Sequence, residues 1–268
     1  MIPANFKKLK IHNKEYDVAD ISNITNIENL PFSYRILIEN IIRQKLLGRN
    51  NNADDQVKSI IEGKIGTAIN FAPNRILSHD ILGKVMLVDF LAYREALEKK
   101  GISQDLVQPD VPVDVVIDHS LQVDFFGNDE AKIKNLKKEY ERNSERFSFL
   151  RWCSKNLKKV NVIPPGVGIC HQVNIEYLSK VVWRQQKKDL NLIHPDTCIG
   201  TDSHTPMVNA IGILGWGVGG VEAEISMLGK TIPMTVPEVV GVNLNNNLNE
   251  GITSTDLVLH ITKLLRAN

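Results

Sequence analysis

Three apolar runs in this chain stop abruptly on a histidine and its polar neighbours: "VVIDHS" at 115–120, "GICHQVN" at 168–174 and "CIGTDSHT" at 198–205. Short apolar runs bounded by polar residues read as strands buried within a sheet. The segments between such runs carry helical spacing, as in "KVMLVDFLAYREALEKKG", whose second half ends in lysines and Gly101 as helix C-termini prefer. Strands alternating with helices restrict the chain to an α/β fold with a mainly parallel sheet. In open sheets of that kind, ligands gather outside the carboxyl ends of the strands. The three run ends therefore bring Asp118, His119, His171, Asp202, Ser203 and His204 to one rim.

Residues 1–62 read as a lead-in that is mostly helical after a short extended start. Leu37, Ile38, Ile41, Ile42 and Leu46 fall at helical spacing behind Pro31 and Ser33, and "DDQVKSIIEGK" is a second short helix closed by Gly63. "DEAKIKNLKKEYERNSERFSFLRWCSKNL" is a long charged helix or a pair, and Pro164-Pro165 breaks the strand in "VNVIPPGVGICHQ". Residues 63–235 would form the main domain. The tail, 236–268, reads as a strand and polar turn in "VPEVVGVNLNNNL", then a helix capped by Ser254 or Thr255. That much apolar surface needs further layers, so the tail is expected to be the truncated start of a second α/β domain.

The formal net charge is +1, so nothing global draws the chain to nucleic acid or anionic lipid. Local runs such as Lys158-Lys159 and Arg184-Gln185-Gln186-Lys187-Lys188 are explained by solvated helix faces. The three cysteines, Cys153, Cys170 and Cys198, are odd in number and lack CxxC spacing, which fits a reducing compartment. With no leader pattern at the N-terminus, the expected location is the cytoplasm. The glycine-rich stretch after His204 is interrupted by Asn209 and ended by Glu222, short of the roughly 20 apolar residues a membrane span requires.

A carboxylate beside an imidazole can orient the ring, fix its tautomer and raise its basicity; against this stands a plain solvated turn after a strand. Ser203 between Asp202 and His204 is not a hydrolase triad, whose members meet from separate segments, and no GxSxG elbow is present. No HExxH or paired-cysteine spacing marks a zinc site, so no metal ligand is assigned. In "GWGVGGVEAE" the glycines permit either anion binding at a helix N-terminus or close helix–sheet packing. The absence of a following Lys-Ser/Thr argues against a nucleotide loop; the stretch is expected as a tight turn and helix start.

"PPGVGICHQVN", "VPVDVVIDHS", "GTDSHTPMVNAIGILGWGVGGVEAEISMLG" and "PEVVGV", in that order, resemble the aconitase family, and "LPFSYRILIEN" resembles its N-terminal region. The resemblance runs from about residue 15 to the last residue. It implies a three-layer α/β/α domain and reversible dehydration of a tricarboxylate, citrate to isocitrate through cis-aconitate. It implies a [4Fe–4S] cluster whose ligands are not in this chain, since Cys153, Cys170 and Cys198 match none of the family's cluster cysteines. A chain alone would then be inactive, and a separate chain carrying the missing C-terminal half is a candidate partner. By the same resemblance Asp118–His119 and Asp202–His204 are acid–base pairs, His171 lies at the active site, and Ser203 contacts the substrate or cluster region. His79 stands where aconitases have a substrate-contacting glutamine, and "HDILG" looks more like the 2-methylcitrate/2-methylisocitrate dehydratase branch, which leaves the substrate open. Some cytosolic aconitases that lose the cluster bind RNA; the near-neutral charge gives that reading little support.

Overall fold

The computed structural model describes residues 2–81, 83–117, 122–167 and 178–267. In chain order its elements are β1 (Phe6–Ile11), β2 (Lys14–Ala19), α1 (Phe32–Leu46), α2 (Ala53–Ile61), β3 (Ala68–Phe71), β4 (Arg75–His79), α3 (Lys84–Glu98), β5 (Val113–Val116), α4 (Ala131–Arg142), α5 (Ser144–Asn156) and β6 (Val160–Ile163). There follow β7 (Val182–Lys187), β8 (Leu190–Pro195), β9 (Thr197–Gly200), a 3-10 turn at Thr205–Ile211, β10 (Leu214–Gly217), α6 (Gly220–Met227), β11 (Ile232–Thr235) and α7 (Ser254–Ala267).

The central sheet has five strands in the order β10-β9-β4-β5-β6, and every neighbouring pair is parallel. This is the α/β class with a parallel sheet that the alternating pattern implies. Register places Ile76, Val113, Val160 and Ile199 side by side on one face. They join the larger core with Leu87 and Phe90 of α3, Leu150 and Cys153 of α5, and Ala223 and Met227 of α6. Each such large apolar side chain contributes about 1.5–3 kcal/mol when fully buried. The other face carries Leu77, Val116 and Cys198, which meet Val208 and Ile213 in a smaller cluster. β6 ends at Ile163, just before Pro164, which has no N–H to continue the ladder.

Two further sheets flank this one. β1 and β2 form an antiparallel hairpin that continues as β1-β2-β8-β7, and β3 pairs with β11. The extended start is thus one arm of a four-stranded sheet. The run Arg184–Lys188, expected on a solvated helix face, instead falls mostly within strand β7, with Lys188 in the tight turn to β8. Helix α3 spans all of Lys84–Glu98 rather than only the second half of its segment. The charged stretch is two helices, α4 and α5. "GWG" is strand β10 rather than a turn, and α6 begins at Gly220.

The chain divides into two units, Met1–Pro237 and Glu238–Asn268. In the second, residues 238–250 hold no strand, so the strand expected in "VPEVVGV" is not formed. Its helix α7 is capped one residue earlier than expected. Thr253 Oγ1 accepts the Asp256 N–H at 3.3 Å, and Asp256 Oδ2 accepts the Thr253 N–H at 2.8 Å. No described residue of α7 is buried. Among the described residues no helix is long and apolar enough to cross a membrane.

Candidate active site

Strands β4 and β9 are neighbours, and both deliver polar groups at their carboxyl ends. His79 is the last residue of β4; Asp202, Ser203 and His204 follow β9. The turn after β9 is held close to the sheet. Thr205 donates to the Asp202 carbonyl oxygen from both N (3.1 Å) and Oγ1 (2.7 Å). This packing requires glycine at 200. A Cβ there would lie 2.0 Å from Thr205 Oγ1 and 2.9 Å from the Leu77 carbonyl oxygen. Gly215 does the same for the 3-10 turn, since its Cβ would lie 2.2 Å from Val208 Cγ1. Asn209 then clamps β10, accepting the Gly215 N–H at 3.1 Å and donating to its carbonyl at 3.2 Å.

Asp202 is 6% exposed and sits between two imidazoles. Its Oδ1 accepts the His204 backbone N–H at 3.0 Å and the His204 ring at Nδ1, 2.7 Å away. A carboxylate can only accept, so Nδ1 carries the hydrogen and Nε2 becomes the basic edge of a neutral His204 ring. The His204 side chain is 42% exposed. On the other side, His79 Nε2 is 4.0 Å from Asp202 Oδ2. His79 Nδ1 accepts the Ile81 N–H at 3.3 Å. That contact assigns the hydrogen of a neutral His79 to Nε2, facing Asp202. Oδ2 is buried and has no hydrogen-bond partner among the described residues. Burial alone would raise the Asp202 pKa. Hydrogen bonds from the His204 backbone and ring, with the charges of His79 and His204, outweigh it and hold the carboxyl below the ordinary range. Ser203 Oγ reaches Asp202 Oδ1 only at 3.5 Å.

The structure therefore brings His79, Asp202, Ser203 and His204 together. Asp118, His119 and His171 lie outside the described residues. The rim also holds a partly buried ion pair whose cationic partner no sequence motif signalled. Asp80, fully buried beside His79, is 3.1 Å from Arg146 Nε on α5. Glu139 of α4 is pushed up, by its burial first and then by the Asp80 charge, with Arg146 opposing. Nothing in "ERNSERFSFL" distinguishes Arg146 from its charged neighbours. Ser78 Oγ and Thr201 Oγ1, 3.0 Å apart, tie the two strand ends together.

The two described thiols do not converge on this rim. Cys153 and Cys198 are buried in the clusters on opposite faces of the sheet. Burial pushes Cys153 up to about 12 and Cys198 up to about 11. Neither is a thiolate at neutral pH, which is the form that ligates metal. Cys170 lies outside the described residues. Among the described residues no group of three or more His, Cys, Asp or Glu side chains could hold a metal ion.

Residues 45–268 match the model of the aconitase family (aconitate hydratase). The chain is similar to aconitate hydratase A of Legionella pneumophila, 44% identical over 268 residues, which covers 97% of this chain and 30% of that protein. It is 45% identical over 249 residues to aconitate hydratase A of Escherichia coli, covering 91% of this chain and 28% of that protein. Aconitate hydratase A of Rickettsia typhi is 43% identical over 265 residues, again 97% of this chain and 30% of the relative. The chain thus spans about 30% of the length of the curated relatives it matches.

Proposed function

The chain belongs to the aconitase family, and from that premise we propose that it supplies one acid–base wall of a hydro-lyase site for a small tricarboxylate. The reaction would be the interconversion of citrate and isocitrate through cis-aconitate. The observation that carries this reading is the Asp202 carboxylate held between His79 and His204 at the carboxyl ends of β4 and β9. Asp202 fixes the His204 tautomer and stabilises the imidazolium. His204 Nε2 then holds the proton that a departing hydroxyl needs to leave as water, and takes it back on rehydration. Ser203 and His79 are assigned to substrate binding on the family resemblance. Asp118–His119 and His171 are assigned the second acid–base pair and a further active-site histidine on the family resemblance.

The family implies a [4Fe–4S] cluster. The described residues of this chain do not fit one, because the two described thiols are buried, protonated and on opposite faces of the sheet. We therefore place the ligands on polypeptide outside residues 1–268 and route no step through the cluster. The test uses the chain supplied anaerobically with iron and sulfide, with cis-aconitate absorbance as readout. Alone it should show no turnover. Together with a polypeptide equivalent to the remaining length of a relative, it should turn over. Asp202→Asn or His204→Gln in this chain should then lower the rate by about 10²–10⁴-fold. Full activity of the isolated chain overturns the placement of the cluster. Restored activity indifferent to both substitutions overturns the assignment of the rim.

A second reading of the substrate rests on His79. Its Nε2 faces Asp202 where the family's aconitases have a glutamine, and "HDILG" resembles the 2-methylcitrate branch. Comparing citrate with 2-methylcitrate in the same restored system, before and after His79→Gln, decides between the two.

A further inference from the structure

At the amino end of the central sheet, opposite the rim, a small hollow opens between α1, β7 and α6. Three buried polar atoms of residues that line it have no hydrogen-bond partner among the described residues: Arg43 Nη2, Gln44 Oε1 and Ser226 Oγ. Their residues are 3%, 3% and 1% exposed. Buried polar atoms left unpaired are uncommon and costly, and three around one space signal something that completes them.

The charges say what that is. Arg43 gives its Nε to Glu39 at 2.9 Å, and its buried Nη2 has no partner among the described residues. Arg49, Lys187 and Lys230 line the same wall. One carboxylate, Asp110, is also there, 3.4 Å from Arg49. Lys187 is held below the usual lysine range, by its burial first and then by the positive charges of Arg49, Lys159 and Arg43, with Asp110 opposing. His194, buried beside Arg43 and pushed down to about 3 by its burial and then by the Arg43 charge, stays neutral and adds no charge.

A cationic wall calls for an anion. Gln44 Oε1 adds a condition, because it is an acceptor and the ligand must offer it a hydrogen. We propose that this hollow is a binding site for a tetrahedral oxyanion that retains a proton, hydrogen phosphate, with Arg43 Nη2 and Ser226 Oγ donating to its oxygens, its P–OH donating to Gln44 Oε1, and Lys187 and Arg49 closing the mouth. The floor is rigid. Asn40 on α1 brackets residue 72, donating to the Ala72 carbonyl at 2.8 Å and accepting its N–H at 3.0 Å. The site is independent of the acid–base rim and of the reaction assigned to it.

The test titrates the isotopically labelled chain with inorganic phosphate. The backbone amide signals of Gln44 and Ser226 and the side-chain amide signals of Gln44 are followed, with sulfate and a small phosphomonoester as parallel arms. Phosphate should shift those signals saturably. Sulfate, which has no proton at neutral pH, and the phosphomonoester dianion should each bind at least about tenfold more weakly, the worth of one charge-assisted hydrogen bond. Ser226→Ala removes a hydroxyl that no described residue holds, so the variant should fold as well as the parent and lose about tenfold in phosphate affinity. Lys187→Gln, a surface-accessible change, should lose a similar factor. Signals that stay fixed up to about 10 mM phosphate mean that water alone fills the hollow and overturn the proposal. Binding that both variants leave unchanged means diffuse attraction to surface cations and overturns it equally.

Discussion

Replacing Gly200 with alanine tests how the "GTDSH" turn is held. The added Cβ would sit 2.0 Å from Thr205 Oγ1 and 2.9 Å from the Leu77 carbonyl oxygen, both closer than atoms tolerate. Overpacking of a buried site costs about 1–3 kcal/mol. Thr205 must also rotate and give up its 2.7 Å bond to the Asp202 carbonyl, worth about 1 kcal/mol. The expected destabilisation is about 2–4 kcal/mol. Thr205→Ala alone loses the hydrogen bond but makes no clash, and should cost about 1–2 kcal/mol. In the double variant the severest clash is gone. Its cost should fall short of the sum by about 1–2 kcal/mol, a coupling that neighbours show and distant sites do not. Urea unfolding of the four proteins measures this, followed by tryptophan emission, to which Trp216 on adjacent β10 contributes, with the m value checked for constancy. A Gly200→Ala cost below about 0.5 kcal/mol, or strict additivity, refutes the claim that glycine at 200 is required by the fold-back of Thr205.

Two further outcomes follow from burial. His194 takes up its proton only near pH 3 in the fold, against 6.5 for the free side chain. The unfolded chain therefore binds the extra proton throughout that window, and stability falls as pH drops from about 6.5 toward 3, by up to about 1.4 kcal/mol per unit; His194→Gln should remove this slope from urea midpoints measured across pH 4–7, and an unchanged slope rejects it. Cys153 and Cys198, protonated and fully buried, should resist a thiol reagent at pH 8 until denaturant is added; prompt labelling of either in the folded chain contradicts the burial.

Three strands of the central sheet were legible from their apolar runs. "VDVV" and "TCIG" are largely buried, and the polar groups that follow them mark where the sheet stops; "RILSH", buried throughout but opening on Arg75 and ending on Ser78 and His79, carries no apolar run to announce it. Of the flanking sheet only the extended start was legible. "FKKLKI" and "VWRQQK" place long polar side chains on both faces, and no residue of either strand is buried. With little apolar alternation to display, their pairing rests on the backbone ladder and on polar contacts. One is the Asn191 N–H to Asp17, which no periodicity announces. The glycines of "GWGVGG" misled for a related reason. In β10, Gly215 leaves room for Val208 against the strand, a packing role that mimics a turn signal in sequence.

The same physics explains why the Asp202–His204 pair could be read from the residues alone, while His79 came only through the resemblance and Arg146 was missed. Asp202 and His204 are two residues apart, so one turn makes them partners and the sequence alone proposes the pair. His79 reaches Asp202 only because β4 and β9 are parallel neighbours with Ile76 beside Ile199, a register set by burial along the whole strand. Arg146 reaches Asp80 only because α5 packs on the face shared with Ile76. Each non-local contact is thus a consequence of core packing, and the rim inherits its precision from apolar residues that never touch it. A substitution such as Ile199→Ala, at the centre of that register, would cost about 2–5 kcal/mol in stability. It would also loosen the approach of His79 to Asp202 while leaving the local Asp202–His204 bond intact. If loss of the core instead disturbed the local pair first, the division between turn-made and sheet-made contacts would not hold.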